Sequence, residues 1–185
     1  MASVAVGWWE GRRLVVRLRR FRAGDEDEVA VWGRDPEVVR HYFGRRVLAG
    51  AEVPLVDLCA AGGRIIRAFE TVEGELLGWV ELRNIAWRSG GAELRICIGR
   101  RDRWGMGYGT AAVRAILAEA ATRGLRHVHL RVALWNQRAI ASYRKCGFRA
   151  QAVLRAGRRR AEGMEDLLLM TVDLAAQATS ASSAG

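Results

Sequence analysis

Three glycines at alternate positions, Gly105, Gly107 and Gly109, separate a stretch that reads as a strand from one that reads as a helix. Nothing else in the chain restricts its fold as much. Residues 92–98 put Leu94, Ile96 and Ile98 on one face and Glu93, Arg95 and Cys97 on the other, the period of a strand. Beyond the glycines, Ala112, Val113, Ile116, Leu117 and Ala120 recur on one helical face. Glycine accepts positive φ and lets a ligand approach the backbone closely. At a helix start, unpaired N–H groups and the positive dipole end then point at an anion. A pyrophosphate is the natural occupant of such a turn. A turn needed only for tight strand-to-helix packing explains three glycines in five residues less well.

Two familiar phosphate-binding patterns do not fit. A P-loop ends in GK[ST], whereas Gly109 is followed by Thr110 and Ala111. A dinucleotide fingerprint is GxGxxG with an acidic residue about 20 positions on, but this turn is GxGxG and residues 126–132 hold no acid.

The rest of the chain frames the turn. Residues 14–20 read as a strand, and Asp25 reads as an N-cap followed by acidic Glu26, Asp27 and Glu28 in a short helix. Asp35-Pro36 repeats the start signal for a second helix ending near Phe43. The pattern from 44 to 63 is irregular. Residues 64–71, 76–85 and 92–98 form an antiparallel meander with short turns at Glu73-Gly74 and Ser89-Gly90-Gly91. Gly124 ends the helix that follows the glycine turn. Residues 127–132 then alternate with Val128, Leu130 and Val132 inward. Asn136 caps a helix that runs to Cys146 and stops at Gly147. Residues 148–154 and 165–172 read as two last strands. The order predicts one mixed α/β, or α+β, domain with a mostly antiparallel central sheet and flanking helices.

Composition narrows the function classes. The 185 residues carry a net charge of +10, and Lys145 is the only lysine among 30 basic residues. A basic surface attracts any polyanion, including a cofactor with several phosphates, so charge alone does not choose a partner. No apolar run approaches the ~18 residues of a membrane span. The start is a poor signal peptide. Cys59, Cys97 and Cys146 are odd in number and far apart, with no CxxC pair and no metal-ligand cluster. They read as reduced thiols in a cytoplasmic protein that uses no metal. His127 and His129 share a strand face and read as structural.

A second constellation, Asn136, Ala139, Tyr143, Gly147 and Phe148 in the pattern NxxAxxxYxxxGF, follows the strand at 127–132. Together with WGMGYGTAAV it resembles the GNAT superfamily of N-acetyltransferases. The segment LVVRLRRFRAGDEDEVAVWGRDPEVVRHY resembles the Rim-type branch, which includes ribosomal-protein N-acetyltransferases and polyamine-acetylating relatives. The likeness covers residues 12–174, leaving 1–11 as an N-terminal extension and 175–185 as a disordered Ala/Ser tail.

The resemblance implies a sheet splayed around acetyl-coenzyme A (acetyl-CoA) and direct acetyl transfer to an amine. It assigns the pantetheine arm to backbone groups of Ile96, Cys97 and Ile98. The pyrophosphate falls to Trp104, Gly105, Met106, Gly107, Tyr108, Gly109 and Thr110, and Asn136 contacts the cofactor arm. Trp104 stands where many members carry Arg or Gln, and Arg101 and Arg103 are candidates to compensate electrostatically. Tyr143 is implied as the general acid toward sulfur, with a core aromatic as its bland alternative. Glu93 is the implied base, with Glu81 next. Either needs an apolar setting to work well, since a carboxylate near pKa ~4 is a weak base.

The expected acceptor is a protein N-terminal amine or a small amine. A polyamine or aminoglycoside is the alternative, and for those a basic protein would need a local acidic pocket. A nucleic-acid module is a different class, disfavoured because no aromatic-basic RNA motif or helix-turn-helix is present. A cofactor-sensing pseudo-enzyme stays open, and a homodimer is compatible with such a chain. Acceptor specificity is expected from the 44–63 region, the 85–91 turn and the 156–164 loop.

Overall fold

The computed structural model describes residues 3–9, 12–42, 63–160 and 163–175. Nearly all of the irregular 44–63 stretch, with Cys59, lies outside these residues, as does the expected tail beyond 175. The described strands form one eight-stranded sheet in the order β1-β2-β3-β4-β5-β6-β8-β7. They are β1 (Ser3–Trp9), β2 (Arg12–Arg19), β3 (Ile65–Glu70), β4 (Leu76–Ala86), β5 (Gly91–Ile98), β6 (His127–Ala133), β7 (Arg149–Arg160) and β8 (Gly163–Asp173). The helices are α1 (Asp25–Arg34), α2 (Pro36–His41), α3 (Tyr108–Thr122) and α4 (Gln137–Lys145), and a 3-10 turn spans Arg101–Arg103.

Neighbouring strands pair antiparallel everywhere except between β5 and β6. The connection from β5 to β6 passes through α3, and a helical crossover is what parallel pairing requires. The alternation in β4, β5 and β6 gives each sheet face its own core. On one face α3 buries Ala112, Val113, Ile116 and Ala120 against Leu82, Leu94, Val128 and Leu130. On the other, Val29 and Trp32 of α1, Val38 of α2 and Tyr42 cover Ile66, Ala68, Trp79 and Cys97. A layer of helix on each side leaves the sheet in the middle, which is what its apolar strands demand.

Four expectations need correcting. The segment at 1–11 is not merely an extension, because Ser3–Trp9 pairs with β2 along its length as an edge strand. Asp25 does not cap α1. It is the first helical residue, the cap position is Gly24, and Asp25 is buried against Arg19 at 2.6 Å. Arg19 also meets Glu70 at 2.5 Å, so one guanidinium ties the start of α1 to β2 and β3. Burial alone would raise the Asp25 carboxyl, but Arg19 and the amide of Arg22 hold it below its ordinary range. The second helix ends at His41, short of Phe43, although Asp35 caps it as expected by accepting from the Glu37 amide at 2.9 Å. Finally, most of the 156–164 loop is strand. β7 and β8 stay paired out to Arg160 and Gly163, with a register shift between Leu154 and Arg158. An arginine-rich stretch without apolar alternation gives no strand signal in the sequence, which is why this part of the hairpin reads as loop there.

Candidate functional site

The site is a consequence of incomplete pairing. β5 bonds β4 from Gly91 to Ile98, yet it pairs with β6 only from Gly91 to Glu93. Beyond that point the strands diverge, and residues 94–98 of β5 present an edge that β6 does not cover. A cleft of about 520 Å³ opens there, walled by α3, α4 and the end of α2.

One wall is the glycine turn. Gly107 occupies the N-cap position of α3 with φ 88°, and no side chain among the described residues caps this helix. A β-branched residue at that φ would be strained, and a capping side chain would fill the space before the first-turn amides. Gly109 is required by proximity instead, since an added Cβ would lie 2.8 Å from the Ile98 Cδ1. Thr110 Oγ1 and Ser142 Oγ lie 2.7 Å apart and join α3 to α4. Trp104 donates its indole N–H to the Ile98 carbonyl at 2.9 Å, so it locks the turn to the strand end and takes up one acceptor of that edge.

Of the residues expected to hold a cofactor, Ile96, Cys97, Ile98, Trp104, Gly105, Gly107, Gly109, Thr110 and Asn136 line this one cleft. Cys97 also packs into the second core, and burial pushes its thiol pKa well up. Three others do not line it. Tyr108 packs against the first core, Met106 is half-buried, and Arg103 is held by Glu75 at 2.9 Å and Asp102 at 3.5 Å. Arg101 likewise turns to Asp35 and the face of Trp104. The cations that do face the cleft come from the helices: Arg114 of α3, and Arg138 and Lys145 of α4. Arg138 and Lys145 are seven residues apart and so share a helix face, a spacing readable in the sequence.

The far end of the cleft narrows to a chamber of about 30 Å³ beside Glu93. The Glu93 side chain is only 4% exposed. Its Oε1 accepts from Arg131 at 2.9 Å and Arg95 at 3.4 Å, its Oε2 accepts from Asn84 at 3.0 Å, and Arg83 stands 3.7 Å away. Burial pulls its pKa up, but Arg131, Arg95 and Arg83 outweigh burial and hold the carboxyl below its ordinary value. The apolar setting that a base would need is therefore not what surrounds Glu93. Glu81 is buried too, with Arg64 at 3.5 Å, and does not line the cleft.

Between the two ends stand Tyr143 and Asn136, which border both the cleft and the chamber. Asn136 caps α4 by accepting from the Ala139 amide at 3.2 Å. Tyr143 stacks edge-on against Phe148 at 5.9 Å, and burial raises its phenol pKa. Such a group stays protonated at neutral pH. Also at this junction are His41 and Tyr42, which sequence reasoning did not single out. His41 lies between the rings of Trp104 (4.9 Å) and Trp135 (5.0 Å), and Tyr42 accepts from the Trp79 indole at 3.2 Å. Among the described residues no group of three or more potential ligands could hold a metal ion, and no helix is long and apolar enough to cross a membrane.

Comparison with known proteins agrees with this geometry. The acetyltransferase (GNAT) domain family matches residues 15–149. The spermidine N-acetyltransferase of Vibrio cholerae in complex with CoA and spermine superimposes with a TM-score of 0.74 at 21% identity, over 86% of this chain and 96% of that one. The SpeG spermidine/spermine N-acetyltransferase of Vibrio cholerae with manganese ions gives 0.72 at 20% identity, over 89% and 95%. At these identities the likeness is one of fold. No curated protein matches the chain in sequence.

Proposed function

Because the chain belongs to the GNAT acetyltransferases, we propose that it transfers the acetyl group of acetyl-CoA directly to a primary amine, either a protein N-terminus or a small amine. One observation carries this reading. The uncapped, glycine-opened start of α3 and the unpaired edge of β5 face the same cleft. The first supplies N–H groups and a positive dipole end for a diphosphate. The second supplies a row of backbone groups to which an amide-bearing arm can add as a further strand. Arg114, Arg138 and Lys145 add positive charge where the phosphates would lie. Glycines at the contact, an open helix terminus and cationic rims fit the group chemically.

Acetyl-CoA supplies an activated acyl carbon. In the transfer a C–N bond forms, the C–S bond breaks, the amine loses a proton and the sulfur gains one. Tyr143, at the junction of cleft and chamber, is the proton donor to sulfur. Its phenol is protonated at neutral pH, so the proton is at hand where the sulfur leaves. The burial that raises its pKa means that the leaving sulfur must lie close for the transfer to occur. Glu93 holds Arg131 and Arg95 instead of taking a proton, and the amine, arriving neutral, gives its proton to water.

Within the family, the 14–42 segment supports the Rim-type branch. The named substrates of the structural neighbours make a polyamine acceptor the second reading. Calorimetry with coenzyme A, and thiol release from acetyl-CoA against a panel of amines, test the proposal. Tyr143→Phe should lower turnover about a hundredfold while coenzyme A binds as before. An unchanged rate removes Tyr143 from the mechanism.

A further inference from the structure

Resting on the acetyltransferase reading, we infer that the acceptor is an amine that also carries a carboxylate, recognised by the arginines at the far end of the cleft. Arg40 of α2, Arg95 of β5 and Arg131 of β6 line the chamber, and Glu93 is the one carboxylate lining it among the described residues. Both oxygens of Glu93 already accept bonds from protein donors, and the side chain is almost wholly buried. Drawing an ammonium to it would break charge-assisted bonds inside the protein, so Glu93 is not available as an anchor for a cation. Two of the guanidinia, by contrast, reach solvent, while the Arg95 side chain is only 15% exposed and stays against Glu93. The Arg131 side chain is 37% exposed and that of Arg40 59%, the latter lying over the Trp135 ring at 4.9 Å. Arg131 and Arg95 share Glu93, and Arg40 stands 4.0 Å from Glu37, so the chamber keeps a surplus of positive charge that repels a polycation. The N–H groups of Arg131 not spent on Glu93 suit a carboxylate. The chamber adjoins Tyr143 and Ile96, so a carboxylate held there leaves the amine of the same small molecule near the acetyl position.

The test is thiol release from acetyl-CoA by the full chain. Aspartate, glutamate and short peptides starting with either residue are compared with counterparts in which every carboxylate is a carboxamide, and with spermidine, at equal concentrations of neutral amine. The carboxylate forms should exceed the amides by about tenfold or more in kcat/KM, the worth of one charge-assisted hydrogen bond. Activity on free amino acids identifies a small-molecule acceptor, and activity confined to acidic peptides identifies a chain terminus. Arg131→Gln should erase the preference while calorimetry shows unchanged coenzyme A affinity. Should that variant fail to fold, Arg40→Gln on the exposed face of α2 must reduce the same preference. Equal turnover of carboxylate and amide forms, better turnover of spermidine, or none with the carboxylate-bearing amines overturns the inference. A chain that binds no coenzyme A defeats the acetyltransferase reading itself, a result seen before any acceptor is scored.

Discussion

The two ends of the cleft are built from different materials. The end at α3 is made of backbone, with glycines, an uncapped helix start and a strand edge contributing main-chain groups. The end at Glu93 is made of five side chains from four separate elements: Arg40 of α2, Asn84 of β4, Glu93 and Arg95 of β5, and Arg131 of β6. Backbone geometry follows from local sequence and tolerates drift elsewhere. A side-chain cluster exists only once the whole sheet is assembled, and any member can change without altering the fold. The first end therefore suits what a family shares, and the second suits what distinguishes its members.

The largest test of this contrast is Gly107→Val. It should weaken coenzyme A binding about a hundredfold or more in calorimetry. Because Gly107 sits at φ 88°, valine there also costs about 1–2 kcal/mol of stability in denaturant unfolding. Full affinity in a folded variant would mean that the backbone end is not the diphosphate site.

Next is Glu93→Gln. If Glu93 is a structural counter-ion, the variant loses about 2–3 kcal/mol of stability, reduced from a fully buried pair because Arg131 and Arg83 keep some solvent. An unchanged midpoint with collapsed turnover would restore Glu93 as the base. The pH dependence follows from its lowered pKa. Its stabilisation is complete above the ordinary carboxylate value of about 4 and is lost as pH falls through the lower folded value. The stability gap between parent and variant should thus stay constant down to about pH 5 and shrink below about pH 4. The smallest effect is expected from Asn136→Ala, about 1 kcal/mol in the unfolding midpoint through loss of the α4 cap. An affinity loss beyond about tenfold would show that Asn136 also grips the ligand.

The same contrast explains what could be read in advance. The β5-turn-α3 unit, the meander before it and the Asn136 cap were legible because each is written in consecutive residues. Asp25 looked like a cap for the same local reason, yet its partner Arg19 lies on the preceding strand and also reaches Glu70, 51 residues further on. The ring of arginines about Glu93 had no local signature. Arg131 is 38 positions from Glu93, and with almost every basic residue an arginine, none stood out. His41 between Trp104 and Trp135 depends likewise on three elements meeting. Met106, Tyr108 and Arg103 neighbour the glycines in sequence, but alternate residues of a turn point different ways, and none of the three lines the cleft.

A bare strand edge normally sits at a sheet's rim, where it invites a foreign chain to join and start an aggregate. Here such a row lies mid-sheet, between β5 and β6, at the bottom of a cleft walled by helices on both sides. An extended segment of another molecule would need to displace those helices to reach it. The protein can keep unsatisfied hydrogen-bonding capacity permanently on display to a slender guest without becoming a template for its own polymerisation.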